Sequence, residues 1–124
     1  MATPAATKTN VSGDYSVIKI VWALTTADHT GAIVRCPEHY YKSLHTSGTL
    51  GTSTTTLEGS NDGTTFYPLS NKAGTAVSLD ALGAVDCDAT CEFIRPRLTA
   101  VGSGAAVTCT VLLRAPASLS AQKF

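Results

Sequence analysis

The sequence contains no apolar run that approaches the roughly 20 residues a membrane-spanning helix needs, which argues against a membrane partner and for a soluble chain. Charge is scarce as well. Asp, Glu, Lys and Arg make up 15% of the 124 residues, with nine basic side chains balancing nine acidic ones, where about a quarter is usual. Without a basic field there is nothing to hold nucleic acid, and no acidic run reads as a solvating tail. The first ten residues lack a charged segment followed by an apolar one, so no secretory signal is read. The expected compartment is a reducing cytosol, unless the chain leaves by lysis or its signal has been removed.

Catalytic signatures are missing too. Asp28, His29, His39, His45, Asp62 and Asp80 can be assembled on paper into a hydrolase triad, but neither Gly-x-Ser-x-Gly nor His-Glu-x-x-His sets them in place. The expectation is a protein without catalysis and without a cofactor. Tight Cys-x2-Cys knuckles are also absent, although Cys36, His39, Cys87 and Cys91 could supply a zinc set. Two bridges would suit a secreted mini-domain, but the compartment favours free thiols for Cys36, Cys87, Cys91 and Cys109. Cys109 alternates in phase with Val107 and Val111, which fits a small buried apolar residue.

What the chain does have is β alternation. Residues 55–69 read as a hairpin around Gly59-Ser60-Asn61-Asp62-Gly63, whose glycines supply the positive-φ positions of a tight reversal. Thr55, Leu57 and Gly59 share the face expected to point inward, with Gly59 set against an aromatic such as Tyr67 or Trp22. Residues 16–24 alternate strongly, placing Ile18, Ile20, Trp22 and Leu24 on one face of a central or covered strand. Trp22 reads as a core anchor.

Shorter strands follow at 32–36, halted by Pro37, at 42–50 with Leu44, Thr46 and Gly48 inward, and at 75–79. Residues 82–86 fit a short strand or an irregular loop. In residues 92–101, Ile94, Pro96 and Leu98 share a face, and the missing N–H of Pro96 predicts a sheet edge or a bulge. The closing strand, 106–114, turns Val107, Cys109, Val111 and Leu113 inward and is expected to form a hairpin with its predecessor. Residues 1–13 and 115–124 are small, polar and aperiodic. They read as an N-terminal arm and a C-terminal tail flanking one domain at 14–114, an all-β antiparallel β-sandwich.

The order Ser47-Gly48-Thr49-Leu50-Gly51, then Thr56 to Thr64, then Phe93-Ile94-Arg95-Pro96-Arg97-Leu98 and a final strand ending at Arg114 resembles small proteins encoded near the capsid genes of tailed bacteriophages. The resemblance spans residues 16–114 and implies a jelly-roll-like sandwich with extended arms that acts as a head decoration or cement protein. It implies a major capsid protein and further copies of the chain, as dimer or trimer, for partners. It also implies residence on the virion surface after synthesis in the host cytoplasm. The cysteines are not part of the pattern. Candidate interface residues are Val11 and Phe124 in the arms, the aromatics Tyr40, Tyr41 and Phe66, and Arg95 and Arg97, which alternate with apolar residues and are either solvated on an open face or paired with acidic groups of a capsid or sister subunit. The alternative is a glycan partner, with the sandwich serving as a carbohydrate-binding or tail-fibre adhesion module that stacks sugars on Tyr40-Tyr41 and Phe66-Tyr67. Alternation would instead put one ring of each pair in the core.

Overall fold

The computed structural model describes residues 3–13, 16–71 and 73–115. Its regular elements are all strands: β1 (Thr7–Asn10), β2 (Val17–Thr25), β3 (Val34–Arg35), β4 (Tyr41–Thr49), β5 (Thr54–Ser60), β6 (Tyr67–Pro68), β7 (Ser78–Leu79), β8 (Ala84–Cys87), β9 (Phe93–Thr99) and β10 (Ala106–Arg114). They form two antiparallel sheets. The first has the order β1-β2-β10-β4-β8, and the second the order β3-β9-β5-β6 with β7 also pairing β5.

Three nine-residue strands dominate the first sheet, with β10 at its centre. Cys109 lies opposite Trp22 on one side and Thr46 on the other, so this register stacks the apolar faces of all three strands over the second sheet. Ile20, Trp22, Leu24, Leu44, Val107 and Val111 form that wall, and Leu57, Ile94 and Leu98 face it from β5 and β9. Each such large side chain contributes roughly 1.5–3 kcal/mol by leaving water. Trp22 is the anchor the alternation predicts, and its indole Nε1 donates to the Ala32 carbonyl at 2.9 Å.

Pro96 explains how a proline sits inside a sheet. On one side β9 pairs with β5 throughout, Leu57 lying opposite Pro96. On the other side the two-residue β3 ends before it, and the loop takes over: Gly31 N donates to Pro96 O and Leu98 N to His29 O. The absent N–H therefore faces a loop in place of a ladder. Gly31 fits there because a Cβ would lie 2.7 Å from the Trp22 ring and 2.8 Å from the Pro96 ring.

The structure departs from the sequence expectations in several places: β9, the strand of Pro96, lies inside its sheet, and Gly48, expected inward, is exposed with φ 100°. The last two strands do not form a hairpin, since β9 belongs to the second sheet and β10 to the first. Both inward faces are strongly apolar, so each strand lines an opposite wall, and residues 100–105 carry the chain across. Gly59 is a strand residue without positive φ, and Gly63, at φ 76°, makes the reversal; Gly59 does lie opposite Tyr67 in the β5–β6 ladder, while the atoms a Cβ there would meet belong to Leu69 and Cys91. The segment read as an N-terminal arm contains β1, which pairs with β2 from Thr7 opposite Val21 to Asn10 opposite Ile18. Backbone hydrogen bonding to an open strand edge supplies what its side chains lack. The ambiguous 82–86 segment is resolved as β8, an edge strand on β4. Of the C-terminal tail, Ala115 is buried and its N–H donates to Ser16 O at 2.8 Å; the remainder lies outside the described residues.

Candidate functional site

Strand alternation gives each sheet an outer face, and the candidate residues divide between them. On the first sheet Tyr41 opens β4 directly opposite Arg114, while Lys42 and Leu44 turn inward. Leu112, two residues before Arg114, presents an exposed apolar side chain on the same face. With Asp86, Asp88 and Asn71 these residues line an open cleft of about 870 Å³. Tyr41 is 48% exposed and Tyr40 next to it is also exposed.

On the second sheet Glu58 projects outward between Arg95 and Pro68, its cross-strand neighbours. Arg95 Nε donates to Glu58 Oε1 at 3.0 Å, and Arg97 Nη1 reaches Oε2 at 3.5 Å. The Arg95 guanidinium lies 4.0 Å from the centroid of the Phe66 ring, a cation–π arrangement. Arginine and aromatic together cover the carboxylate, which is why an outward-facing Glu is buried. Phe66 is half-buried and Tyr67 is 68% exposed, so neither aromatic pair places a ring in the core. Phe66 lies in the segment before β6 and Tyr67 opens β6 opposite Gly59, while Tyr40 lies in the connection just before β4.

The hairpin turn is held by Asp62. Its Oδ1 accepts from the amides of Thr64 and Thr65 at 2.8 Å and from the Ser60 hydroxyl at 2.8 Å. These donors stabilise the carboxylate and lower its pKa to about 2, with the Thr65 and Thr64 amides as the main causes. Asp62 is therefore occupied by turn formation. His45 stands on the outer face of β4, far in sequence and sheet from that turn, so the residues assembled on paper as a triad are distributed over both sheets.

Near the end of β3 lies a polar cluster that sequence reasoning only touched. Lys42 is 3% exposed, and its Nζ donates to the carbonyls of Ala89 at 2.6 Å, His39 at 3.1 Å and Tyr40 at 3.3 Å. Four free cysteines are buried. The neighbouring Cys91 side chain and burial push the Cys36 thiol up, while the Cys36 side chain and the positive charge of Lys42, against the cost of burial, bring the Cys91 thiol down to about 7. Cys87 donates to Ser70 O at 3.2 Å, and burial pushes its thiol up. Among the described residues no group of three or more His, Cys, Asp or Glu is arranged to hold a metal ion, so the zinc set does not come together.

Val11 is exposed just beyond β1, with its amide donating to Val17 O at 2.9 Å. Phe124 lies outside the described residues. The structure thus joins Phe66, Arg95 and Arg97 in one cluster and leaves Tyr40 and Tyr41 on the other sheet. Sequence reasoning missed Leu112, Asp86 and Arg114 beside Tyr41; only the register of β10 and β8 on β4 brings them together. Comparison with protein-family models, curated proteins and solved structures gives no match.

Proposed function

We propose that this chain is a structural protein of a phage particle that binds the outer surface of the capsid and stabilises it, without catalysis and without a cofactor. The observation that carries the reading is the presence of interface-type residues on both outer faces of one thin sandwich. Tyr41, Leu112 and Arg114 mark the first sheet, and Phe66, Arg95 and Arg97 the second. Aromatics and arginine are the residues interfaces recruit, and their presence on opposite faces suits a connector that touches two neighbours at once. The neighbours are a major capsid protein and, between adjacent sites, further copies of this chain. A protein that binds only the assembled shell stabilises it by mass action.

The test is co-sedimentation of the purified protein with undecorated capsids, followed by heating of the particles. Binding that raises the temperature of shell disruption is the expected result, with Tyr41→Ala and Arg97→Ala each weakening attachment. Failure to sediment with any shell from the host in which the gene resides overturns the reading. A second reading rests on the cleft, where Tyr41 stands beside Asp86, Asp88 and Asn71 as a sugar platform would. Glycan binding abolished by Tyr41→Ala and unaffected by Arg97→Ala would favour that adhesion module.

A further inference from the structure

We propose that the outer face of the first sheet pairs with the same face of a second copy of this chain, about a two-fold axis that runs along the β10–β4 ladder. This deepens the capsid reading, on which it rests for taking that face as an interface, and it names the partner there. The second sheet, with Phe66, Arg95 and Arg97, is then left for the capsid protein.

The register carries the argument. Lys19 on β2 lies opposite Leu112 on β10, Leu112 opposite Ser43 on β4, and Ser43 opposite Asp86 on β8. Opposed residues point to the same side of a sheet, so one row reads cation, apolar, small, anion across the outer face. Lys19 and Asp86 stand three strand spacings apart, about 14 Å, too far to pair within the chain. Among the described residues neither has an ion pair. The next row places Val17, Arg114 and Tyr41 side by side on β2, β10 and β4.

A two-fold axis midway between β10 and β4 lays each of these strands over the other strand of the second copy, and β2 over β8. Lys19 then faces the partner's Asp86, Leu112 the partner's Ser43, and Arg114 the ring of the partner's Tyr41, a cation–π arrangement. Each contact occurs twice. An axis laid across the strands along the first row would instead stack like charge on like charge at both Lys19 and Asp86, which excludes that arrangement. Ala23, Ser43, Ser47, Thr108 and Thr110 are short side chains on the same face, so the two sheets can approach to the usual spacing of about 10 Å. At about 3.4 Å per residue and 4.8 Å per strand the face measures about 30 Å by 20 Å, and a pair of them buries on the order of 1,200 Å², the lower end of specific interfaces. The dimer is therefore concentration-dependent, with the charges fixing its register more than its strength.

Full-length protein without capsids is followed by sedimentation equilibrium over a dilution series, and a monomer–dimer equilibrium is the expected result. Lys19→Glu and Asp86→Lys should each weaken it about ten-fold or more, and the double reversal should regain the parent's constant. Asp80→Lys, an exposed charge reversal just after β7, should leave it unchanged. Carbodiimide coupling in a mixture of unlabelled and heavy-isotope chains needs no variant, and should join Lys19 of one copy to the Asp86 of the other. A parent that stays monomeric, single reversals no weaker than Asp80→Lys, a double reversal no tighter than the singles, or coupling that never joins Lys19 to Asp86 between chains would each overturn the proposal. Because no shell is present, a monomeric result leaves attachment to the shell to be judged by co-sedimentation, and a dimer that binds no shell would place the error in the capsid reading.

Discussion

Arg95 stands directly across the β5–β9 ladder from Glu58 and donates to its carboxylate at 3.0 Å, although Glu58 is only 4% exposed. A buried carboxylate deprived of its closest partner keeps its desolvation cost. The Arg95 side chain is one quarter exposed and Arg97 remains within 3.5 Å of the carboxylate, so the full penalty is softened. Arg95→Ala is expected to cost about 2 kcal/mol and Arg97→Ala less than about 1 kcal/mol. Because both share Glu58, the double variant should cost more than the sum. Urea midpoints at unchanged slope measure this, and additive effects would show that the two arginines act separately.

Gly31 is the tightest point between the tryptophan anchor and the proline of β9. A methyl group there meets ring atoms of Trp22 and Pro96, neither of which can swing aside. Gly31→Ala is expected to destabilise by about 1–3 kcal/mol and to shift the Trp22 emission. At Gly59 the nearest atom is the tip of the Leu69 side chain, which can move, so Gly59→Ala should cost less. An inert Gly31→Ala would mean that the loop retreats from the core.

The strands themselves were legible because alternation is local. Ile20, Trp22 and Leu24 on β2, and Val107, Cys109, Val111 and Leu113 on β10, are buried as their period demands. Pairing was less legible, because the closing strand and its predecessor look alike whether they lie side by side or face each other across a core. Connection across the sandwich depends on the turn at 100–105, where Ala100 takes φ 51°. A positive φ at alanine has no signature in the sequence.

Side chains whose environment is assembled from distant segments were the least legible. Lys42 falls in phase with Leu44 and Thr46, so its inward position could be read, but the three carbonyls that satisfy it belong to two separate loops. Alternation with Thr55 and Leu57 puts Glu58 on the outer face of β5, yet its burial depends on the Arg95 side chain, which bonds it and stacks on Phe66.

Asp62 provides a pH test of the hairpin turn. Its pKa in the folded chain, about 2, lies below the ordinary 3.8. A carboxyl with a depressed folded pKa stabilises the fold fully above its ordinary value, and that contribution is lost as the pH falls through the folded value. The turn should therefore stay ordered at pH 4 and loosen between about 4 and 2. A carboxyl titration of Asp62 followed by NMR, together with the Thr64 and Thr65 amide shifts, checks this. Asp62→Ala should abolish the transition, and a midpoint near the ordinary value would remove these hydrogen bonds from the account.

The N-terminal segment offers the last test, because sequence and structure lead to opposite results. A mobile arm could be deleted without consequence for the sandwich. In the structure, however, Pro4 O accepts from Ala32 N at 2.9 Å, Ala6 packs against the core, and Thr7–Asn10 pairs with β2. The segment thus bonds to the loop leading into β3 and then to the edge of the first sheet. Its side chains are largely exposed, so backbone hydrogen bonds rather than apolar burial carry its contribution. Deleting residues 1–5 should cost about 1 kcal/mol by stranding the Ala32 amide, and deleting residues 1–10 about 1–3 kcal/mol. The longer deletion also bares the β2 edge, which then becomes a template for pairing with another chain. Urea unfolding and light scattering measure the two effects. An unchanged midpoint with residues 1–10 deleted would show that β1 adds nothing to the fold and return the segment to the role of an arm.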